Sequence, residues 1–484
     1  MDKDLLSIQE ARNLADAAYQ AQLVWGHATQ EEVDRVCAAM AEAAYQASGR
    51  LGQLACEETG YGVAAHKKLK NELGSKIVWE SIKNVPTVGV IRQDAQRRTY
   101  DIAWPVGVIA GLTPSTNPTS TAMFKVLSAV KARDAIVIAP HPSAVQCVYE
   151  TCRIMQEAGE KAGAPAGLVS SLQYISLAGT QELMHHKRVR LILATGGSGM
   201  VQAAHSVGKP AFGVGPGNVP VYVDRSADLE KAARYIVASK AFDCSTICAT
   251  EQSVIADKPI ARDLERLMQS EGAYFADERQ ADLLRKLLFH PDGSMNTVSV
   301  GKPAQTVAGL AGFSIPQSSR IIVARLQQTG ESEPLSREKL TTVLGWYEED
   351  GWEAGCDRSI ELIMFGGRGH TQIIHARDEN VIMAFGLEKP VFRILVNTMG
   401  TLGAVGLTTG LMPSMTLGAG GEGGSITGDN ISVHHLYNVK RLAYEITPPP
   451  SSAMGSSAPV SSQSNAQDVE ALVRKVVQEI ISQK

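Results

Sequence analysis

Apolar positions recur at helical spacing through the first stretch of the chain. Residues 5–65 read as helices, with Val33, Val36, Cys37, Met40, Ala41 and Ala44 on one face of one of them. From residue 106 the pattern changes to short apolar runs separated by longer amphipathic stretches. The runs are 106–112, 135–139, 172–175, 191–194 and 219–223, and the stretches between them are 120–131, 144–162, 181–186 and 199–207. The runs predict strands, the stretches predict helices, and their alternation predicts a parallel sheet covered on both faces. Such sheets bind ligands at the carboxyl ends of their strands. That singles out 113–119, 139–143 and 195–200. A second alternating region starts near residue 220. It predicts a helix at 229–240, a cysteine-bearing loop, a strand at 252–256, helices at 260–269 and 278–288, and a closing run at 393–397. This is enough for a second α/β domain.

The end of the chain has a different texture. Residues 447–465 read TPPPSSAMGSSAPVSSQSN, with no charge and few bulky apolar groups. That composition cannot bury a core and predicts a flexible linker. Beyond it, Val469, Leu472, Val473, Val476, Val477, Ile480 and Ile481 make a single apolar stripe if 466–484 is helical. A lone helix of that length is marginal in water. The slack tether favours docking on another protein over folding back on its own subunit.

Composition narrows the rest. The 484 residues carry a formal net charge of −4, with 44% hydrophobic and 20% charged residues. This is ordinary for a globular protein of two or three domains and gives no reason to expect nucleic acid as a partner. No stretch approaches a membrane span. The opening Met-Asp-Lys-Asp lacks the apolar region of a signal peptide, which predicts a cytoplasmic protein. The odd count of seven cysteines reads as reduced thiols, one of them reactive. His185-His186 and His434-His435 lack partners at metal-ligand spacing, so no metal is expected.

The stretch FDCSTICATEQSV at 242–254 places Cys244 and Cys248 in a small polar loop before an apolar run. A thiolate on a loop above a sheet is an accessible nucleophile. Asn117 sits in a Thr/Pro-rich turn after a strand, where its amide can point into a crevice or cap the next helix. Thr195-Gly196-Gly197 follows a strand and opens a helix, a place where backbone can approach a pyrophosphate, although the match to the usual dinucleotide fingerprint is poor.

The ordered set PVGVI at 105–109, TPSTNPTS at 113–120, PHP at 140–142, TGG at 195–197, GVGPGN at 213–218, the FDCSTICATEQSV loop and GRGHT at 367–371 resembles the aldehyde dehydrogenase superfamily. It is most similar to the branch that acylates coenzyme A, including enzymes associated with bacterial microcompartments. The resemblance implies an α/β fold. Residues 1–215 would be a Rossmann-type cofactor domain with an oligomerisation arm near 94–104, and 216–425 the catalytic domain. Residues 426–446 would be a C-terminal arm, followed by the 447–465 linker and a 466–484 encapsulation helix. It implies Cys248 as nucleophile and Asn117 as oxyanion donor, with Cys244 a bystander or redox partner. Thr113, Pro114, Ala139, Pro140, His141, Thr195, Gly196, Gly197 and Gly215 would hold NAD, the choice against NADP being left open. His370 and Thr250 would face a substrate or coenzyme A channel.

Hydrolytic relatives carry a glutamate before the 214–218 segment, where this chain has Phe212-Gly213. The resemblance therefore implies transfer of the acyl group to coenzyme A rather than to water. The expected substrate is acetaldehyde or propionaldehyde. Sulfoacetaldehyde, with Arg368 or Arg393 as anion partner, and a hydrolytic reaction giving a carboxylate are the alternatives. A homodimer or homotetramer is expected, as is docking of the last helix on microcompartment shell protein.

Overall fold

The computed structural model describes residues 2–450, 453, 471–475 and 478. The chain divides into a large unit, Met1–Ile91 with Ile102–Lys440, and a small one, Arg92–Asp101 with Arg441–Lys484.

The large unit holds two parallel sheets. The first has five strands in the spatial order Val169–Ser171, Ala135–Pro140, Val108–Thr113, Val189–Thr195, Ala211–Val214, every neighbour parallel. Its central strands are buried along their whole length, as sheets covered on both faces require. Helix Pro118–Lys131 lies entirely within the core, with Pro118 at its first turn where a missing N–H costs nothing. Along the chain the strand order runs outward in one direction from Val108–Thr113 and then reverses at Val189–Thr195. Ligands bind at such a switch point, beyond the carboxyl ends of those two strands.

The second sheet has seven parallel strands, ordered Ala273–Ala276, Ile321–Arg325, Val343–Glu349, Glu251–Asp257, Val219–Val223, Gln372–His375, Ile394–Val396. One apolar cluster packs on each face, one around Ile236 and Trp346, the other around Tyr222 and Phe385. The three-stranded remainder is Gly89–Asp94, Thr99–Pro105 and Tyr437–Ala443. Within the small unit Arg441 pairs with Asp101 at 3.0 Å and the Tyr444 N–H donates to the Arg98 carbonyl at 3.1 Å.

Two sequence expectations change. The strand expected at 172–175 is instead Val169–Ser171. Pairing with Ile136–Ile138 sets its register, and the carboxylate of Glu10 takes the N–H groups of Gln173 and Tyr174, which ends the ladder. The pattern also misses strands Ile321–Arg325, Val343–Glu349 and Gln372–His375, three central members of the second sheet. Of the expected terminal helix, 471–475 are helical, with Leu472 and Val473 exposed. The remainder of that helix and most of the linker lie outside the described residues. Among the described residues, no helix is long and apolar enough to cross a membrane.

Candidate active site

A groove of about 350 Å³ opens at the switch point of the five-stranded sheet. Thr113 and Pro114, just past the first strand, form one wall, and Ala139, Pro140 and His141 extend it. Thr195, Gly196 and Gly197 line the opposite side, and Gly215 closes toward the second sheet. The groove therefore gathers all nine residues expected to hold a dinucleotide. Their fit to such a ligand can be tested on the backbone. A Cβ built on Gly197 or Gly215 meets nothing within 4 Å, so the chain there is open to close approach. Gly197 also caps helix Ser198–His205 without any side-chain hydrogen bond, leaving its first N–H groups for an anion.

Cys248 and Asn117 reach the same groove. Cys248 ends a loop running from the tight turn Phe242–Ser245 into strand Glu251–Asp257. The turn is strained: Asp243, Cys244 and Ser245 all have positive φ, at 48°, 52° and 67°. Three successive non-glycine residues in that region cost about 1–2 kcal/mol each and persist only where surroundings hold them.

The holding is visible. The Asp243 carboxylate is fully buried and accepts from the Val63 N–H at 2.7 Å, the Thr246 hydroxyl at 2.7 Å, Lys67 Nζ at 3.1 Å, and Lys70 Nζ. Gly62, with φ +77°, lies against this carboxylate, where any Cβ would fall 2.1 Å from Oδ1. Burial alone would raise the Asp243 pKa, but the two lysines overcome it and hold the group below the usual carboxylate range.

Lys70 carries the clamp on to Asn117. Its Nζ donates to Asn117 Oδ1 at 2.6 Å and to the Thr246 hydroxyl at 2.9 Å. An ammonium can only donate, so the amide oxygen is turned to Lys70 and Nδ2 faces the loop, where it donates to the Thr246 carbonyl at 3.0 Å. The buried Lys70 falls to about 8, pulled down by desolvation and Lys67 against the pull of Asp243.

The thiol of Cys248 is pushed up to about 12, first by burial and then by the charge of Glu338, with Arg393 opposing. Glu338 lines the groove, accepts the Gly217 N–H at 3.0 Å, and is itself raised to about 7 by burial. Arg393 is buried, lowered to about 10 by desolvation, and donates to the carbonyls of Gly428 at 2.9 Å and Gly418. Gly217 threads between the Cys248 carbonyl and His370, where a Cβ would lie 2.3 Å from one and 3.0 Å from the other.

Two expected site residues do not line the groove. His370 is buried beside Gly217, bonded to the Thr371 hydroxyl at 2.9 Å and lowered to about 3 by desolvation and Arg393, so its ring is neutral, with Nε2 buried and without a hydrogen-bond partner. Thr250 is also buried, its hydroxyl donating to the Ile247 carbonyl at 2.6 Å. Cys244 is buried and raised to about 11, chiefly by desolvation. Lys67, Lys70 and Glu338 were not legible as site residues. Among the described residues, no group of three His, Cys, Asp or Glu is arranged to hold a metal ion.

A thiol and a carboxamide thus line one groove at the switch point of the five-stranded sheet, an arrangement suited to covalent chemistry on a carbonyl group. The chain belongs to the aldehyde dehydrogenase family, whose model matches residues 5–273. It is 41% identical over 409 residues to an aldehyde-alcohol dehydrogenase of Streptococcus pneumoniae, covering 83% of this chain and 46% of that protein. The chain thus spans about half the length of that relative. It superposes on an acetylating aldehyde dehydrogenase from Geobacillus thermoglucosidasius with a TM-score of 0.92 at 47% identity, covering 93% of this chain and 99% of the other. It also matches a Rhodopseudomonas palustris propionaldehyde dehydrogenase, solved with bound CoA and an acylated cysteine. That match has a TM-score of 0.82 at 26% identity and covers 90% of this chain and 97% of the other.

Proposed function

We propose that this chain oxidises a short aldehyde and transfers the acyl group to coenzyme A through a thioester on Cys248. The observation that carries the reading is the pairing at the groove. Cys248 and Asn117 line one cavity, and the amide is oriented by a buried cation. A bound nicotinamide dinucleotide would supply the hydride acceptor, held by Thr195, Gly196 and Gly197 at the helix N-terminus.

The chain's own residues do the rest. Cys248 Sγ gives its proton to solvent in the groove and attacks the carbonyl carbon. The alkoxide that forms accepts from the Cys248 backbone N–H and from Asn117 Nδ2, which gives up one of its two bonds, to the Thr246 carbonyl at 3.0 Å or the Thr116 hydroxyl at 3.2 Å, to make this one. Loss of hydride from that carbon leaves the thioester. The resemblance sets Phe212 and Gly213, on strand Ala211–Val214, where hydrolytic relatives carry a glutamate. With no carboxylate there, the thioester waits for the thiol of coenzyme A. Acetaldehyde or propionaldehyde is the substrate favoured by the resemblance, with NAD preferred over NADP. The chain acts as a homodimer or homotetramer, and its final helix docks on microcompartment shell protein.

Glu338 favours a second reading. It lines the groove and is raised to about 7, so its carboxylate form could prime water and make the enzyme hydrolytic. Progress curves of NADH from acetaldehyde, with and without coenzyme A, separate the two. The proposal requires sustained turnover only with coenzyme A and acetyl-CoA as product. Sustained turnover without it, yielding acetate, supports hydrolysis instead.

A further inference from the structure

Away from the groove, helix Trp352–Gly366 carries Cys356, and helix Glu379–Glu388 ends at Lys389. Both side chains are buried, Cys356 at 2% and Lys389 at 6% exposure. Lys389 Nζ touches the Cys356 sulfur directly. Its Nζ also lies over the face of Phe385, 3.9 Å from the ring centroid, and among the described residues no carboxylate forms an ion pair with it. A buried ammonium without a carboxylate is costly. The thiol in turn donates to Glu388 Oε2 at 3.6 Å, and Glu388 is exposed, so the pair lies one side chain below the surface. The mechanism above uses neither residue. They do share a segment with it, because Lys389 stands four positions before Arg393 and the intervening Pro390 carbonyl receives the Gly369 N–H at 2.8 Å.

We propose that Cys356 and Lys389 form a reversible oxygen-bridged cross-link, Sγ–O–Nζ, with dioxygen as oxidant. The contact holds nucleophilic sulfur and nitrogen together with no third group between them, and Glu388, which accepts from the thiol, is exposed to solvent carrying dissolved dioxygen. The balance is one thiol, one neutral amine and one O₂ giving the bridge and one water. The S–H bond, one N–H bond and the O–O bond break, and S–O and O–N bonds form. One oxygen stays in the link and the other leaves as water with the two hydrogens. The four electrons that reduce O₂ come as two from sulfur and two from nitrogen. The proton that first leaves the ammonium passes to Glu388 or to solvent. A thiol reductant returns thiol and amine.

The test is peptide mass spectrometry on the full-length protein, kept either in air-equilibrated buffer or under anaerobic dithiothreitol. The expected result in air is a linked pair of peptides holding Cys356 and Lys389, with a mass of the two plus one oxygen minus two hydrogens. Dithiothreitol should release the pair, and Cys356→Ser and Lys389→Arg should each abolish it. Two variants are used so that misfolding of one does not leave the question to a single protein. Recovery of Cys356 from the aerobic sample as free thiol, or as sulfenic or sulfinic acid with Lys389 unmodified, overturns the proposal.

Discussion

Replacing Lys70 by methionine keeps most of the side chain's length and removes the ammonium that donates to Asn117. Three contacts go: the 2.6 Å bond to Asn117 Oδ1, the 2.9 Å bond to Thr246, and the ion pair with Asp243. Asp243 keeps Lys67, the Val63 N–H and the Thr246 hydroxyl. Breaking one partner of a buried pair costs about 3–5 kcal/mol, and the surviving donors put this case near 3. The catalytic effect is separable. With Oδ1 unpaired, the amide can turn over and withdraw Nδ2 from the loop. Complete loss of an oxyanion donor costs about 10²- to 10³-fold in kcat, so a misoriented donor should cost about 10²-fold. The assay is the single-turnover rate of NADH formation from saturating acetaldehyde, alongside a denaturant melt to read stability. Lys70→Met, Asn117→Ala and the double variant form a cycle, in which the double should be no slower than Asn117→Ala alone. A folded Lys70→Met enzyme with wild-type single-turnover rate, or a double variant slowed by the product of the two effects, refutes the reasoning.

Cys248, raised to about 12, should be alkylated by iodoacetamide at a rate that climbs about tenfold per pH unit from 8 to 10, where an ordinary thiol would level off near 8.5. Glu338→Gln removes the neighbouring negative charge, so alkylation of Cys248 at pH 8 should become several-fold faster in that variant. Gly217→Ala places a methyl against the Cys248 carbonyl and His370, and should cost about 1–3 kcal/mol of stability in a urea melt and lower kcat, since the nucleophile's backbone must shift. Truncation after Ile446 removes the linker and terminal helix and should leave turnover unchanged in the steady-state assay.

Much of the first sheet was legible because its strands are continuous apolar runs punctuated by ligand-side turns. Thr113, His141 and Gly196 could be picked out as strand ends before any coordinates. The second sheet was harder to read. Strand Val343–Glu349 mixes Trp346 and Tyr347 with two glutamates, and its identity comes from pairing with Ser253–Asp257 rather than from local pattern. The clamp was invisible for a related reason. Lys67, Lys68 and Lys70 sit in one short helix and read alike, yet Lys68 pairs with Glu72 at the surface while the other two are buried on Asp243. Only the tertiary approach of the Phe242–Ser245 turn distinguishes them. Glu338 lies in the polar run SREK and reads as solvated loop. Its half-buried place in the groove lining, accepting the Gly217 N–H, comes from the tertiary fold. The histidine at 370 could be singled out from its glycine-flanked setting, but its place beside Gly217, with Nε2 buried and without a hydrogen-bond partner, comes only from the tertiary fold.

The central claim is a covalent acyl group on the sulfur at position 248. Mixing enzyme with aldehyde and nicotinamide cofactor, withholding coenzyme A, and mapping the adduct by mass spectrometry reads it directly. One acyl group on the peptide bearing Cys248, discharged on adding coenzyme A, is the expected result. Formation of reduced cofactor with that sulfur unmodified, or with the acyl group on Cys244, would contradict the account.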